Sequence, residues 1–274
     1  MDRHWRHRYR PTFAALVVGL WALFSLGYVF GPFGPGSPSW FANLGTVLAA
    51  WTAALLAVAI WRSHEPDEPL TRIWRFLAAG FSLWAIGETL WAYFDLRLGG
   101  ELPYPSLADA AWVAGYPLVW IGLRLRYRSL EVPTGRHQWL ALAAIGVVGV
   151  VVFGAVLWPI LATPDAGRPI ELALNVYYPV AGFVLFGVSV LVASALRGGR
   201  LSTPWQAIAI GTAVLSLADL TFAYATWHDL YSVEGLPNLI TILTDVPYMG
   251  AYTAIVLGEH TLGRLEGAFG RSDA

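Results

Sequence analysis

The chain has 274 residues, of which 57% are hydrophobic and only 13% charged, and its formal net charge is −1. A soluble domain carries about a quarter of its residues as charges, so this composition excludes an ordinary water-soluble globule. There is no cysteine, which excludes disulfides, thiolate nucleophiles and cysteine metal sites; lysine is also absent, which excludes a Schiff-base or phosphate-loop lysine.

A helix needs ~20 apolar residues to cross ~30 Å of hydrocarbon. Eight such runs follow one another. The first, 12–30, comes after the arginine-rich "RHWRHRYR". That leader resembles the n-region of a signal peptide, but the run is longer than a signal core and no small-x-small cleavage site follows, so it reads as a retained helix. The second and third runs are 40–61 and 73–94. The fourth, 107–123, opens on "PSLAD", where Ser106 reads as an N-cap and Asp109 as the N3 acid of a capping box. Asp109 is followed by Trp112 and Tyr116 at i+3 and i+7, on one helical face. The remaining runs are 139–158, 170–196, 205–227 and 237–257. Pro117, Pro179 and Pro247 fall inside the fourth, sixth and eighth, where each frees a backbone carbonyl. The runs are continuous rather than alternating, so they are helices and not barrel strands. The expected fold is an all-α integral membrane protein of eight transmembrane helices, one membrane domain over 1–274 with a short cytoplasmic tail at 261–274.

Arginine placement gives the expected orientation. Arg3, Arg6, Arg8 and Arg10 precede the first helix; Arg62, Arg72, Arg75, Arg124, Arg126, Arg128, Arg136, Arg197, Arg200, Arg264 and Arg271 fall on the same side. Only Arg97 and Arg168 fall on the other. By the positive-inside rule both termini are cytoplasmic and the protein sits in the plasma (inner) membrane. The outer side carries an excess of acids, including Asp95, Asp109, Glu171, Asp229 and Asp245, which disfavours anionic ligands and tolerates cations or neutral molecules. Nothing points to nucleic acid. Glu259 and Glu266 count with the cytoplasmic acids.

The third run, "WRFLAAGFSLWAIGETLWAYFD" from Trp74, aligns with the seventh, "WQAIAIGTAVLSLADLTFAYAT" from Trp205. At one offset Trp74 meets Trp205, Gly80 meets Gly211, Glu88 meets Asp219, Trp91 meets Phe222 and Tyr93 meets Tyr224. In the helices that follow, "DAAWVAGY" from Asp109 aligns with "DVPYMGAY" from Asp245, pairing Trp112 with Tyr248 and Tyr116 with Tyr252. Asn43 and Asn175 sit near the starts of the second and sixth runs. The chain therefore reads as two four-helix repeats, 10–127 and 136–260. An even number of crossings per half makes the repeat parallel, with a pseudo-twofold along the membrane normal.

Acids inside a membrane are costly, ~2.5–3.5 kcal/mol each on insertion scales, and mark sites by default. Glu88 lies about 10 Å below the end of its helix, at ~1.5 Å per residue, and Asp219 lies at the matching depth. Glu88 shares a face with Trp84, Trp91 and Asp95. Two readings stand: packing residues that hydrogen-bond a neighbouring helix, or a ligand or proton site between the halves. Asp109 and Asp245 lie near helix starts, where capping and the helix dipole favour an acid; the aromatics on the same stripe add the case for an outward-facing, aromatic-lined pocket. The candidate ligand-binding set is Glu88, Asp219, Asp109, Asp245, Trp91, Trp112, Tyr116, Tyr248, Asn43 and Asn175.

Catalytic and cofactor signatures are missing. There is no HExxH, no GxSxG, no paired DxxxD and no glycine-rich phosphate loop. No histidine lies mid-bilayer, which argues against haem held by two histidines. The expectation is a non-enzyme with no assignable cofactor or metal.

The stretch "GETLWAYFDL…PYPSLADAAWVAGYPL" resembles the multi-helix membrane-integral sensory input domains found ahead of diguanylate cyclases and kinases in actinobacteria and related bacteria. Glu88, Trp91, Tyr93, Pro105, Ser106, Ala108, Asp109, Tyr116 and Pro117 carry the resemblance. It covers the third and fourth helices, and no cyclase or kinase module follows within the chain. The resemblance implies a sensor or receptor module in the lipid bilayer that binds an unknown small ligand, with its output either in a separate cytoplasmic protein or absent. The alternatives are a small proton-coupled transporter, with Glu88 and Asp219 as the relay, or a structural subunit of a membrane complex.

Overall fold

The computed structural model describes residues 11–98, 104–131, 135–162, 168–231 and 235–269. Arg3, Arg6, Arg8, Arg10 and Arg271 of the arginine count lie outside them. The described residues form eight helices and no strand: α1 (Pro11–Phe30), α2 (Ser37–Arg62), α3 (Pro69–Leu98), α4 (Leu107–Ser129), α5 (Arg136–Ala162), α6 (Pro169–Ala195), α7 (Ser202–Trp227) and α8 (Leu239–Glu266). Six of these, α1, α2 and α5 to α8, are long and apolar enough to cross a membrane by length and composition. α3 and α4 have the length, at 30 and 23 residues, but not the apolarity. α3 carries Arg72, Arg75, Glu88, Asp95 and Arg97, and α4 carries Asp109, Arg124, Arg126 and Arg128. Their polarity is turned inward or to their ends, with Asp95, Asp109 and Arg126 buried.

Local chemistry sets the helix ends. α4 starts with the expected capping box: Ser106 Oγ accepts from the Ala108 N–H at 3.1 Å, and Asp109 Oδ2 accepts from the Ser106 N–H at 2.6 Å. α8 starts on Asn238, whose Oδ1 accepts from the Thr241 N–H at 3.0 Å. It ends at Gly267 in the left-handed region, φ 79°, a conformation a Cβ disfavours. α8 extends nine residues beyond the expected 257, which matters for Glu259.

The packing is a closed ring in the order α2–α3–α4–α6–α7–α8 and back to α2. α1 lies outside it against α2 and α8, and α5 lies outside against α6 and α7. The two outer helices keep most of their apolar surface free: Val150 is 74% exposed and Leu16 59%. Such faces suit lipid contact. Within the ring, tight crossings use small residues, as membrane helices do without a hydrophobic drive between them. A Cβ on Gly80 would stand 3.1 Å from the Gly115 carbonyl oxygen and 2.5 Å from Val119; one on Gly211 would stand 2.8 Å from the Ala251 carbonyl oxygen and 2.7 Å from Ile255. Ala50, Ala53, Ala54 and Ala57 give α2 a small-residue buried face.

Prolines sit inside α4, α6 and α8 as expected, and Pro159 sits inside α5 as well. Pro117 has no N–H to offer the Val113 carbonyl one turn back. The Tyr177 hydroxyl, from α6, donates to that oxygen at 3.0 Å and ties α4 to α6.

Candidate functional site

The ring encloses a cavity with roughly 1000 Å³ of empty space, part of it open to solvent. It runs from Trp84, Tyr116 and Tyr252 inside the bundle to Pro38, Gly235 and Pro237, where α2 begins and α7 connects to α8. Among the described residues, four acids line it, Glu88, Asp95, Asp219 and Asp245, and no arginine or histidine does.

Glu88 and Asp219 face this shared interior, and their partners interlock. Glu88 Oε1 accepts from Trp112 Nε1 at 3.2 Å, on the neighbouring α4, and from the Tyr252 hydroxyl at 2.8 Å, on α8. Asp219 Oδ1 accepts from the Tyr248 hydroxyl at 2.6 Å, on the neighbouring α8, and Oδ2 accepts from the Tyr116 hydroxyl at 2.7 Å, on α4. Each acid thus takes one donor from the next helix in sequence and one from across the ring. The two acids differ in one respect. Both oxygens of Asp219 are engaged, whereas Glu88 Oε2 has no hydrogen-bond partner among the described residues.

The other candidates divide. Asp245 lines the cavity, accepting from the hydroxyls of Tyr28 and Tyr231, the latter at 2.8 Å. Asn43 lines it too; its Nδ2 donates to Asp95 Oδ2 and to the Ser39 carbonyl. Trp91 stands with its ring 5.8 Å from Trp112 and 6.2 Å from Phe222, forming an aromatic wall. Trp112, Tyr116 and Tyr248 line the same space. Asp109 and Asn175 do not. Asp109 is spent on the α4 cap and on the Tyr178 hydroxyl, which donates to Oδ1 at 2.6 Å. Asn175 Oδ1 accepts from Tyr104 and Thr226 at 2.8 and 3.2 Å, and its buried Nδ2 has no partner among the described residues.

Sequence reasoning left several lining residues out of the set. Tyr252 was visible as the counterpart of Tyr116, and Asp95 as part of the Glu88 stripe. Tyr28, Tyr178 and Tyr231 carry no local signal; only the ring closure brings them to the cavity. Glu259 is a correction. Counted with the cytoplasmic acids because the eighth run ends at 257, it is fully buried, and neither carboxylate oxygen has a hydrogen-bond partner among the described residues. It lines a narrow cleft with Trp74, Phe81, Trp205 and Thr212.

The site's tyrosines donate to its carboxylates, and no group of three or more His, Asp or Glu side chains among the described residues could hold a metal ion. The site can bind. Its acceptors are held in place by neutral donors and its walls are aromatic, the composition of a ligand pocket. Compared with known proteins, the chain matches no described family, no curated protein and no solved structure.

Proposed function

We propose that this chain is a membrane sensor or receptor module, built as two parallel four-helix repeats with both termini cytoplasmic. It binds a neutral or cationic small ligand, or a proton, in the ring cavity from the outer side and passes a conformational change to a cytoplasmic partner. The observation that carries this reading is the crossed pairing of Tyr252 with Glu88 and Tyr116 with Asp219. Each bond joins one proposed repeat to the other at the cavity wall, so a ligand that competes for either carboxylate alters the contact between repeats. A ligand shifts such an equilibrium only by its differential affinity for the two arrangements, and these four residues are where that difference arises.

Further contacts support the duplication. The Gly80 crossing on Gly115 and Val119 has its counterpart at the expected offsets in Gly211 on Ala251 and Ile255. Gly122 packs on Leu77 as Gly258 packs on Ile208. Asn43 bonds Asp95 as Asn175 bonds Thr226, the residue aligned with Asp95. α5 departs from the pattern, touching α7 where the counterpart of α1 would touch α4.

The test is a pull-down of cytoplasmic proteins with the full chain in nanodiscs, with and without a ligand fished from the host's extracellular metabolites by native mass spectrometry. Ligand-dependent capture of a regulator supports the reading, and a ligand-free, partner-free chain defeats it. A small proton-coupled transporter is the second reading, favoured by Glu259, a carboxyl beyond the cavity floor on the way to the opposite end of the bundle. Ligand accumulation in proteoliposomes under a proton gradient distinguishes it.

A further inference from the structure

Resting on the reading of the ring cavity as a ligand site, we infer that its ligand is an organic cation with an N–H donor, a primary alkyl- or arylalkylammonium.

The first ground is a charge imbalance. Among the described residues, the cavity presents Glu88, Asp95, Asp219 and Asp245 and no basic side chain. The ion pairs among the described residues, His64 with Glu266 and Arg168 with Glu171, involve none of these four. Every donor the four receive from tyrosine, tryptophan or asparagine is neutral. A carboxylate has about four lone-pair sites and forms its strongest hydrogen bonds with charged donors, so the charged partner is what the protein itself leaves out.

The second ground is the unused acceptor. Glu88 Oε2 alone among the Glu88 and Asp219 oxygens has no protein partner among the described residues, and the side chain borders the cavity. An ammonium N–H fits it. An anion is repelled there, and a neutral alcohol gives a weaker, uncharged bond.

The third ground separates an organic cation from an inorganic one. The acids are spread around the wall and make no cluster able to hold a metal among the described residues, whereas a hard cation requires six or more oxygens at close range. The surfaces between the acids are aromatic instead, with Trp91 and Trp112 beside Glu88. Tryptophan faces attract alkylammonium groups by cation–π interaction. The space reaches from Trp84 inside the bundle to Pro38 and Pro237 at its mouth between aromatic walls, more than a bare ion occupies, and so suits a molecule with an apolar body.

The experiment titrates the purified full chain with 2-phenylethylammonium and with 2-phenylethanol, which has the same body and no charge, by calorimetry. The expected result is saturable ammonium binding at least about tenfold tighter than the alcohol, a factor worth ~1.4 kcal/mol. Glu88→Gln should abolish that preference while keeping a wild-type melting midpoint. Equal affinities in the wild-type protein overturn the inference whatever the variant does. So does no binding of either probe, and a third measurement then separates the two failures. Thr46 lines the cavity, and Thr46→Cys introduces the chain's single thiol. Labelling of that thiol by neutral methyl methanethiosulfonate leaves the cavity reading standing with the ligand class wrong; an unlabelled thiol removes both.

Discussion

The Tyr252 hydroxyl on α8 donates to Glu88 on α3 at 2.8 Å, across 164 positions of sequence. The Tyr116 hydroxyl on α4 donates to Asp219 on α7 at 2.7 Å, across 103 positions. These two bonds close the ring through its cavity, and removing either should loosen it. Tyr252→Phe and Tyr116→Phe keep the edge-on ring contacts with Trp84, at 6.4 and 4.9 Å, and delete only the donor. A hydrogen bond to a charged group is worth ~1.5–3 kcal/mol, so each variant should melt several degrees lower in detergent. Unchanged midpoints for both would mean that the acids do not depend on these donors.

The crossings predict a sharp contrast among glycines. Gly80→Ala forces a methyl to within 2.5 Å of Val119 and should cost ~1–3 kcal/mol by overpacking. Gly211→Ala meets the Ala251 carbonyl oxygen at 2.8 Å and should cost the same. Gly146→Ala on peripheral α5 meets nothing within 4 Å and should be neutral or gain ~0.5–1 kcal/mol from reduced chain entropy. Thermal melts of the three variants read the difference, and equal effects would contradict the close approach.

How much of this was legible beforehand follows from the range of each signal. The α4 cap is written in five consecutive residues, and Ser106 and Asp109 make the bonds their spacing implies. Glu88 and Asp219 line one cavity, as their placement at matching depth in two helices led one to expect. What was not legible is who donates to whom. Nothing near Tyr28 or Tyr231 in the sequence announces that both hydroxyls meet Asp245; that depends on α1 and the α7–α8 connection arriving at the same wall. Asp109 misled for the opposite reason. Its local role as a cap and its bond to Tyr178 use both oxygens, and none is left for a cavity it does not reach. Hydropathy likewise ends the eighth run at 257, whereas tertiary packing carries the helix to Glu266.

Orientation is tested by two single cysteines in the cysteine-free chain. Gly36, before α2, and Ser129, at the end of α4, are exposed. With both termini inside, Gly36→Cys should react with an impermeant maleimide on intact cells and Ser129→Cys only after permeabilisation. The reverse pattern would invert the proposed topology and put the cavity mouth on the cytoplasmic side.

Glu259 gives a prediction of unusual sign. Its carboxyl is fully buried with both oxygens unpartnered among the described residues, in a cleft walled by Trp74, Phe81 and Trp205. Leaving a polar group unsatisfied in such a place costs ~1–3 kcal/mol. Glu259→Met, similar in length and apolar, should therefore raise the melting midpoint. A lowered midpoint would show that the carboxyl holds something the bundle needs, and would strengthen the transporter reading.

The last prediction separates the two central acids by the use of their oxygens. Glu88 receives both protein donors on Oε1. In Glu88→Gln the amide oxygen can keep that place and both bonds, their lost charge assistance offset by no longer burying a carboxylate, while the atom facing the cavity changes from an acceptor to an N–H2 donor. Asp219 divides its donors, Tyr248 on Oδ1 and Tyr116 on Oδ2. Asp219→Asn must set its amide N–H2 against one of those hydroxyls, which then has to rotate away and give up donating. The cost is one lost charge-assisted bond and a misplaced polar group, ~1–3 kcal/mol. Glu88→Gln should therefore fold with a wild-type midpoint and fail to bind an ammonium probe, while Asp219→Asn should fold with a lower midpoint. Paired melts and titrations read both axes. If Glu88→Gln bound the probe as well as wild type, Glu88 would be a packing residue like Asp109, and the central site would have to be sought at Asp245 and Asp95 instead.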